Sequence, residues 1–444
     1  MTAAEADREV GRPLPGFAAM VGGQAAALLA GFATSIVIVR TIGAEGRGTV
    51  ALFSTATFLA AGIASSGMEG AMARVAGERG TRLAASMALW WWGVGALVVG
   101  LVWAAVGAAA AGYWHLDAGT AAILAGVGMP AVLAMSLLRG ALLGGAGYRH
   151  VATGRAIFGC AGLAITATIA TTVGLSAPGA IAAAFAGVAL QSVYHWRRGG
   201  SPAALSRPAP QERRAQLAFA ARGSSGTLLL AIQNRYDLLI VGALLSVADA
   251  GVYAVLLSLA ELMLIPIDVA ALVVLGSAAG GRHTTTQALT AMRLVLAMSI
   301  VMAVVLAVVG HPLLLHVFGE EFAAGYAALL LLLPGLLSLA MWRIAANDAA
   351  GRGFPELQVR GGVVGAGLVL TLVPLAAPWL GLEGAAAASS IGYIASCILI
   401  LSRYRRRFDV SSRDFWRLTR QDAALVRYTA QGLARRLRRA SLVA

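Results

Sequence analysis

Residues 234–254 read NRYDLLIVGALLSVADAGVYA, which places Arg235 and Asp237 inside an otherwise apolar run. What these charges do depends on the solvent around that run. Apolar residues make up 59% of the 444-residue chain and charged residues 12%, whereas soluble domains average near one half and about one quarter. The composition is therefore that of a membrane protein, and the two charges fall within a membrane-crossing segment.

Long apolar stretches recur along nearly the whole chain, and each is long enough to cross a hydrocarbon core of about 30 Å as a helix. The stretches are continuous and do not alternate with polar residues, which predicts helices and not a barrel. The sequence thus predicts an all-α polytopic membrane protein with about twelve transmembrane helices. The predicted spans are 16–40, 48–73, 83–111, 118–146, 151–174, 179–196, 215–246, 250–277, 287–310, 322–350, 357–379 and 382–403.

The two halves of the chain share a pattern of residues. The segment GTVALFS, which begins at Gly48, corresponds to GVYAVLL, which begins at Gly251. Three residues of the fourth span also recur at equal spacing in the tenth span. Since six spans preserve the direction of the chain, this repeat predicts two pseudo-symmetric six-helix lobes around a central cavity. The three recurring pairs are Pro130 and Pro334, Arg139 and Arg343, and Gly147 and Gly351.

The predicted organisation has five parts. A cytoplasmic N-terminal segment occupies 1–15, an N-lobe 16–196, a cytoplasmic linker 197–214, a C-lobe 215–403 and a basic cytoplasmic helix 404–444. Most arginines fall in the linker, in the tail and in alternate loops, so the positive-inside rule predicts that both termini are cytoplasmic. The N-terminus carries no small-residue cleavage pattern, and we interpret the first span as a retained helix.

The basic excess is concentrated at the C-terminus. The chain has a net charge of +14, and the part from Arg403 onward has twelve Arg and three Asp, a net charge of +9. A basic amphipathic helix directly after a membrane span favours anionic membrane lipids as its partner and argues against nucleic acid.

Four segments carry a resemblance to a known family. They resemble the polysaccharide transporters, which flip lipid-linked oligosaccharides and belong to the multidrug/oligosaccharidyl-lipid/polysaccharide superfamily. The first segment is similar to the family signature R-x-L-G-x-x-x-x-G, with Ile42 in place of Leu. The segments are VRTIGAEGRGTVALFS (39–54), NRYDLLIVGALLSVADAGVYA (234–254), FGEEFAAGYAALLLLLPG (318–335) and LGLEGAAAAS (380–389).

The resemblance implies a fold of two six-helix bundles and a transport function. It also makes a polysaccharide polymerase or another polysaccharide-assembly protein an expected partner of the C-terminal basic helix. The expected substrate is an undecaprenyl-diphosphate-linked oligosaccharide, flipped across the bacterial inner membrane by alternating access for surface or exopolysaccharide synthesis. No cofactor, metal or catalytic residue is expected, and no G-x-x-x-x-G-K-[ST] segment for ATP binding occurs. An enzyme such as a glycosyltransferase is disfavoured because the predicted outer loops are short. A non-transporting scaffold is disfavoured by the paired repeat.

Four arginines are candidates for binding the diphosphate, because a guanidinium fork suits paired phosphate oxygens. Arg235 lies in span seven, Arg139 and Arg343 are related by the repeat, and Arg40 occupies the Arg position of the family signature. The alternatives are a structural ion pair for Arg235 and snorkelling of Arg139 and Arg343 towards headgroups. Arg47, near Arg40 at the outer end of span one, either attracts the substrate phosphate at the exit or pairs locally with Glu45.

Three carboxylates in the C-lobe spans are candidates for an ion pair or for cation coupling. Helical rise places Arg235 and Glu261 at similar depths, about 16 Å and 15 Å from the outer ends of their spans, so the sequence predicts that they pair, with Asp237 close by. Asp268 lies on the same helix face as Glu261, and it either extends an acidic ladder or caps the cytoplasmic end of span eight near Arg282 or Arg293. These carboxylates keep a second function open, a cation-coupled multidrug or solute antiporter of the same superfamily.

Overall fold

The computed structural model describes residues 17–65, 67–145, 147–199, 207–279, 284–354, 356–417, 419 and 422. The predicted N-terminal segment 1–15 and most of the tail after 417 lie outside these ranges. Within them every regular element is helical. The twelve α-helices of the described residues are α1 Phe17–Ala64, α2 Met68–Arg79, α3 Thr81–Ala109, α4 Ala118–Gly144, α5 Tyr148–Thr172, α6 Ala177–Arg198, α7 Pro210–Leu244, α8 Val247–Ala279, α9 Thr285–Leu313, α10 Glu320–Ala323, α11 Tyr326–Gly351 and α12 Glu356–Phe408.

Helix α1 is a hairpin and not one straight rod. Gly43 has φ 69° and ψ −169°, which interrupts the helix and which glycine adopts at no steric cost. The Nε of Arg47 donates to the Oγ of Ser35 at 3.0 Å, although these residues would lie about 18 Å apart along a straight helix. The chain therefore folds back at Gly43, and its arms 17–42 and 44–64 run antiparallel.

Helix α12 folds back in the same way. Gly381 has φ 59° and ψ −141°. The hydroxyl of Ser396 donates to the carbonyl oxygen of Gly361 at 2.9 Å, and Gly392 packs against Gly365. These contacts join the arms 356–380 and 382–408 along their length.

The crossing segments reproduce the predicted count. Eight described helices are long and apolar enough to cross a membrane, and two of these, α1 and α12, are hairpins that contribute two arms each. Adding α7 and α8 gives the twelve crossings that the sequence predicts. Span two is shorter than predicted: it ends at Ala64, because Gly67 adopts φ 71° and starts the separate helix α2.

The helices form two bundles that repeat one another. Helices α1, α3, α4, α5 and α6 pack together, and α7, α8, α9, α11 and α12 do the same. The third crossing of each bundle ends in a segment that is not α-helical, the 3₁₀ turn Ala111–Trp114 after α3 and the π-helical turn Leu314–Phe318 after α9. These turns occupy equivalent positions in the repeat. We call the side with the turns at Gly43 and Gly381 the hairpin side, and the side where α6 ends and α7 begins the linker side.

On the hairpin side the two lobes meet through repeat-related glycines. A methyl group added at Gly48 would collide with the carbonyl oxygen of Val247, and one added at Gly251 would collide with the carbonyl oxygen of Ala44. The arm 44–64 and helix α8 therefore touch backbone to backbone. Only glycine permits this approach, which explains why the repeat keeps a glycine at both positions.

We expect Gly251→Ala to destabilise the protein by about 1–3 kcal/mol, since the added methyl forces the two lobes apart. The apparent melting temperature in detergent measures this effect. Gly367→Ala is the matched control, because Gly367 is also a mid-helix glycine but has nothing within 4 Å of an added methyl group. The control should be neutral or slightly stabilising, and equal melting of the two variants would contradict the backbone contact.

On the linker side, α2 and the start of α3 contact the first turns of α7. Arg79 forms an ion pair with Glu212, and the Trp91 indole N–H donates to the Oε1 of Gln216 at 2.7 Å. The backbone N–H of Ala209 and the side chain of Arg79 both donate to Glu212, and they lower its pKa. Polar side chains thus join the lobes on this side.

The chain after α12 folds back under the C-lobe. Phe415 is buried and packs edge-on against Tyr404. Arg293 and Asp422 form a buried bidentate ion pair, with Nε to Oδ2 at 2.8 Å and Nη2 to Oδ1 at 2.9 Å. Arg293 is therefore held by the C-terminal segment, which the sequence did not indicate. A 3₁₀ turn, Ser412–Phe415, interrupts the predicted tail helix, with Ser411 as its N-cap.

Candidate functional site

A cavity of about 610 Å³ lies between the two lobes. It is bordered by both arms of α1 and by α4, α5, α6, α7 and α8, so residues far apart in sequence share one space. Its polar and aromatic lining residues are Gln24, Phe32, Arg47, Ser54, Thr55, Phe58, Arg139, Arg155, Phe158, Gln191, Arg235 and Ser258.

Four of the lining residues are arginines, and none of the described residues that line the cavity is a carboxylate. The remaining wall is mostly Ala, Leu, Val and Phe, a low-dielectric surface that screens charge weakly. A cleft lined by one sign of charge concentrates ligands of the opposite sign. The lining therefore favours an anionic ligand over a cationic one.

Two of the four arginines predicted to bind phosphate reach this cavity, Arg139 and Arg235. Arg139 projects from α4 and forms a bidentate pair with Glu69 of α2, with Nε to Oε1 at 2.7 Å and Nη2 to Oε2 at 2.6 Å. Arg235 is exposed within α7. The two residues approach the cavity from different lobes.

The other two predicted arginines do not line the cavity. Arg343 is half-buried within the C-lobe, and its repeat relation to Arg139 does not bring it to the same space. Arg40 lies at the hairpin side, where it donates to the carbonyl oxygens of His316 and Val317, the latter at 2.8 Å. These carbonyls end the third crossing of the C-lobe, so Arg40 joins the two lobes at a helix terminus.

Two further lining arginines are outside the four named as candidates for binding the diphosphate. Arg155 of α5 donates to the side-chain oxygen of Gln24, and Arg47 reaches Ser35 and, at 3.4 Å, the Oγ of Ser258. The local pair expected between Arg47 and Glu45 does not form, because Glu45 turns to His115 at 2.7 Å. In the sequence, Arg155 follows Arg149 and His150 in the first turns of span five, where basic residues commonly flank a membrane span.

Aromatic and amide side chains complete the lining. Phe32, Phe58 and Phe158 offer apolar ring faces, and Gln24 and Gln191 offer amide groups. Ring faces and hydrogen-bonding groups together suit a ligand that is polar at its edges and apolar on its faces, as sugar rings are. The cavity can therefore hold an anionic group and a polar, ring-containing group side by side.

A buried polar cluster lies beside the cavity in the C-lobe. Asp237 is fully buried, and its carboxylate accepts from the hydroxyl groups of Tyr253 at 2.9 Å and Ser389 at 3.0 Å and from the backbone N–H of Leu238 at 2.9 Å. The cluster joins α7, α8 and the second arm of α12. These three donors occupy most of the hydrogen-bonding capacity of the carboxylate oxygens, which explains how the bundle accommodates a buried acid.

The side chains of Glu261 and Asp268 lie outside the described residues. The pair of Arg235 with Glu261 and the ladder or capping role of Asp268 therefore stay predictions. Within the part of the chain that the structure describes, no three His, Cys, Asp or Glu side chains cluster as metal ligands.

No protein-family model matches the sequence, and no curated protein matches it. Solved structures do match the fold. An inward-facing multidrug resistance MATE family transporter of the MOP superfamily aligns with a TM-score of 0.69 and 17% identity, over 86% of this chain and 94% of the other. The lipid II flippase MurJ, in an inward closed conformation, aligns with a TM-score of 0.72 and 12% identity, over 91% and 89%.

A third structure belongs to a MOP superfamily transporter from Pyrococcus furiosus Vc1 (DSM3638), whose binding pocket is described as having reverse polarity. It aligns with a TM-score of 0.61 and 16% identity, over 88% of this chain and 94% of the other. At such identities the likeness concerns the fold. The predicted fold class is confirmed, and the fold is the one that the sequence resemblance implies.

Proposed function

We propose that this protein moves a diphosphate-linked lipid glycan across the membrane by alternating access of its central cavity. The observation that carries the proposal is the lining: four arginines, three phenylalanines and no carboxylate among the described residues. The arginines match a diphosphate, and the ring faces and amides match a glycan. The similarity of fold to a lipid II flippase and to MATE transporters supports transport over catalysis.

The two-lobed fold supplies the means of movement. The lobes touch on the hairpin side through glycine backbone, and on the linker side through polar side chains and the contact of Gly67 with Ala220. Rocking of one bundle against the other breaks one set of contacts while the other persists, which exposes the cavity to one side at a time. The expected membrane is the bacterial inner membrane, with both termini cytoplasmic.

One observation favours the second candidate function, a cation-coupled antiporter of multidrug or solute type. Asp237, Tyr253 and Ser389 place a carboxylate and two hydroxyls together in the interior of the C-lobe. Oxygen ligands of this kind suit a hard cation. A coupling cation bound there is also compatible with flipping of an anionic lipid. The proposal of a flippase therefore rests on the cavity lining, which favours an anionic ligand.

The test reconstitutes the purified protein in liposomes with a fluorescent undecaprenyl-diphosphate-linked N-acetylglucosamine. Flipping is measured as the loss of label protected from external dithionite. In parallel, efflux of the cationic dye ethidium is followed under a sodium or proton gradient. We expect the wild-type protein to flip the lipid, and Arg155→Glu, which inverts one charge of the cavity, to reduce flipping at least tenfold. Ethidium efflux without lipid flipping would establish the antiporter instead.

A further inference from the structure

Glu69 occupies the two N–H donors with which Arg139, a residue of the cavity wall, can also bind an anionic ligand. Both carboxylate oxygens of Glu69 accept from Arg139, through Nε and Nη2. Arg139 lines the cavity, and the two side chains are 25% and 30% exposed, so the pair is not sealed in the packed core. This fork geometry is the one with which an arginine binds two oxygens of a phosphate.

The position of Glu69 is set by the backbone. A methyl group added at Gly140 would collide with the carbonyl oxygen of Glu69, and one added at Gly144 with that of Ala73. Helix α2 therefore lies in a glycine groove of α4, next to Arg139. The pair is thus fixed by the close packing of two helices.

Helix α2 also belongs to the linker-side contact between the lobes. Its N-cap residue, Gly67, packs against the backbone of Ala220 in α7, and Arg79 at its C-terminal end pairs with Glu212. Arg74 of the same helix lies over the ring of Phe219, 5.5 Å from its centroid. One twelve-residue helix thus contacts a cavity arginine through Glu69 and the opposite lobe through both of its ends.

We propose that Glu69 is a resident substitute for the substrate phosphate on Arg139, and that the incoming diphosphate displaces it. This inference rests on the proposed function, and it identifies Arg139 as the residue of that site that the phosphate reaches first. A phosphate presents two oxygens to the guanidinium as the carboxylate does, so the exchange conserves the hydrogen bonds of Arg139. The displaced carboxylate then faces a phosphate of like charge, which pushes α2 away from α4 and loosens the contacts of α2 with α7.

The test compares Glu69→Gln with the wild-type protein. Glutamine keeps the size of the side chain and one acceptor but removes the charge that competes with phosphate. The probe is farnesyl diphosphate, titrated into detergent-solubilised protein by isothermal titration calorimetry, and farnesol is the uncharged reference for binding through the lipid tail. We expect Glu69→Gln to bind farnesyl diphosphate about tenfold more tightly, a typical coupling between competing ligands, with farnesol binding unchanged.

Glu78→Gln is the matched control, because Glu78 lies on the same helix but pairs with Arg74 at an exposed surface. Its affinity for farnesyl diphosphate should equal that of the wild-type protein. Arg139→Gln should lose most of the affinity and show no further change when combined with Glu69→Gln. If the wild-type protein binds farnesyl diphosphate but Glu69→Gln binds it equally or more weakly, the displacement is refuted while the proposed function stands. If no variant binds the diphosphate more tightly than farnesol, both fail.

Discussion

Arg235→Ala is expected to abolish measurable flipping of a diphosphate-linked lipid while the protein remains folded. The side chain is exposed towards the cavity, so its removal leaves no hole in the packed interior. Loss of one charged hydrogen-bonding partner of a buried anion costs about 2–5 kcal/mol, which corresponds to roughly a thirtyfold to several-thousandfold loss of transport at about 1.4 kcal/mol per factor of ten. The liposome flipping assay measures this loss, and size-exclusion chromatography with thermal unfolding tests the fold.

Arg149→Ala is the control for a general effect of arginine removal, since Arg149 is exposed at the linker-side start of α5 and does not line the cavity. It should flip the lipid at the wild-type rate. A second experiment exchanges the charges of Arg235 and Glu261. We expect transport to stay lost in the exchanged variant, because the phosphate then meets a carboxylate. Full recovery would show that Arg235 serves a structural pair and would remove it from the substrate site.

The second large effect concerns stability. Asp422→Ala is expected to destabilise the docking of the C-terminal segment by about 3–5 kcal/mol, because it leaves Arg293 buried without its carboxylate. Burial disfavours the charged form of Asp422, but hydrogen bonds from Arg293 and Thr419 outweigh this and lower its pKa. A carboxyl whose pKa is lowered on folding stabilises fully above its unfolded pKa and loses this as the pH falls, so the whole effect is present at neutral pH.

Limited trypsin digestion measures the release of the C-terminal segment directly, because Arg413 and Arg417 are exposed on the segment that Asp422 anchors. We expect faster cleavage there in Asp422→Ala and a lower melting temperature. Asp409→Asn removes an exposed carboxylate from the same segment and should behave as wild type. The double variant Arg293→Leu with Asp422→Leu should recover part of the loss, because neither charge then remains buried alone. Cleavage at the wild-type rate in Asp422→Ala would contradict the anchoring role.

The sequence predicted the fold well because the decisive information is local. A run such as 287–310 is long and apolar whatever surrounds it, and lipid leaves such a run few structures other than a helix. The repeat of Gly48 and Gly251 was also visible, and the structure shows the reason for it in the two backbone contacts between the lobes. The ends of spans were predicted less accurately. At Gly67, a single positive φ ends the predicted second span early and starts a new helix.

The site was predicted only in part, because the position of a charge in a cavity depends on how helices face one another. Arg139 and Arg235 stood out as charges within apolar runs, and both line the cavity. Arg155 did not stand out, because it follows other basic residues at the start of its span. Arg343 shares its sequence pattern with Arg139 but not its surroundings, since the N-lobe supplies most of the lining. The Glu69 partner of Arg139 required a helix whose existence the sequence did not reveal.

The even number of crossings in each bundle has a consequence for how such a protein is made. Each half enters and leaves the bilayer on the same face, so each is a self-contained unit for insertion by the translocation machinery. A gene cut at the linker would yield two polypeptides that insert in the same orientation and can reassemble. A single ancestral gene encoding one half could, by the same geometry, have built the whole transporter from two identical copies before duplication joined them.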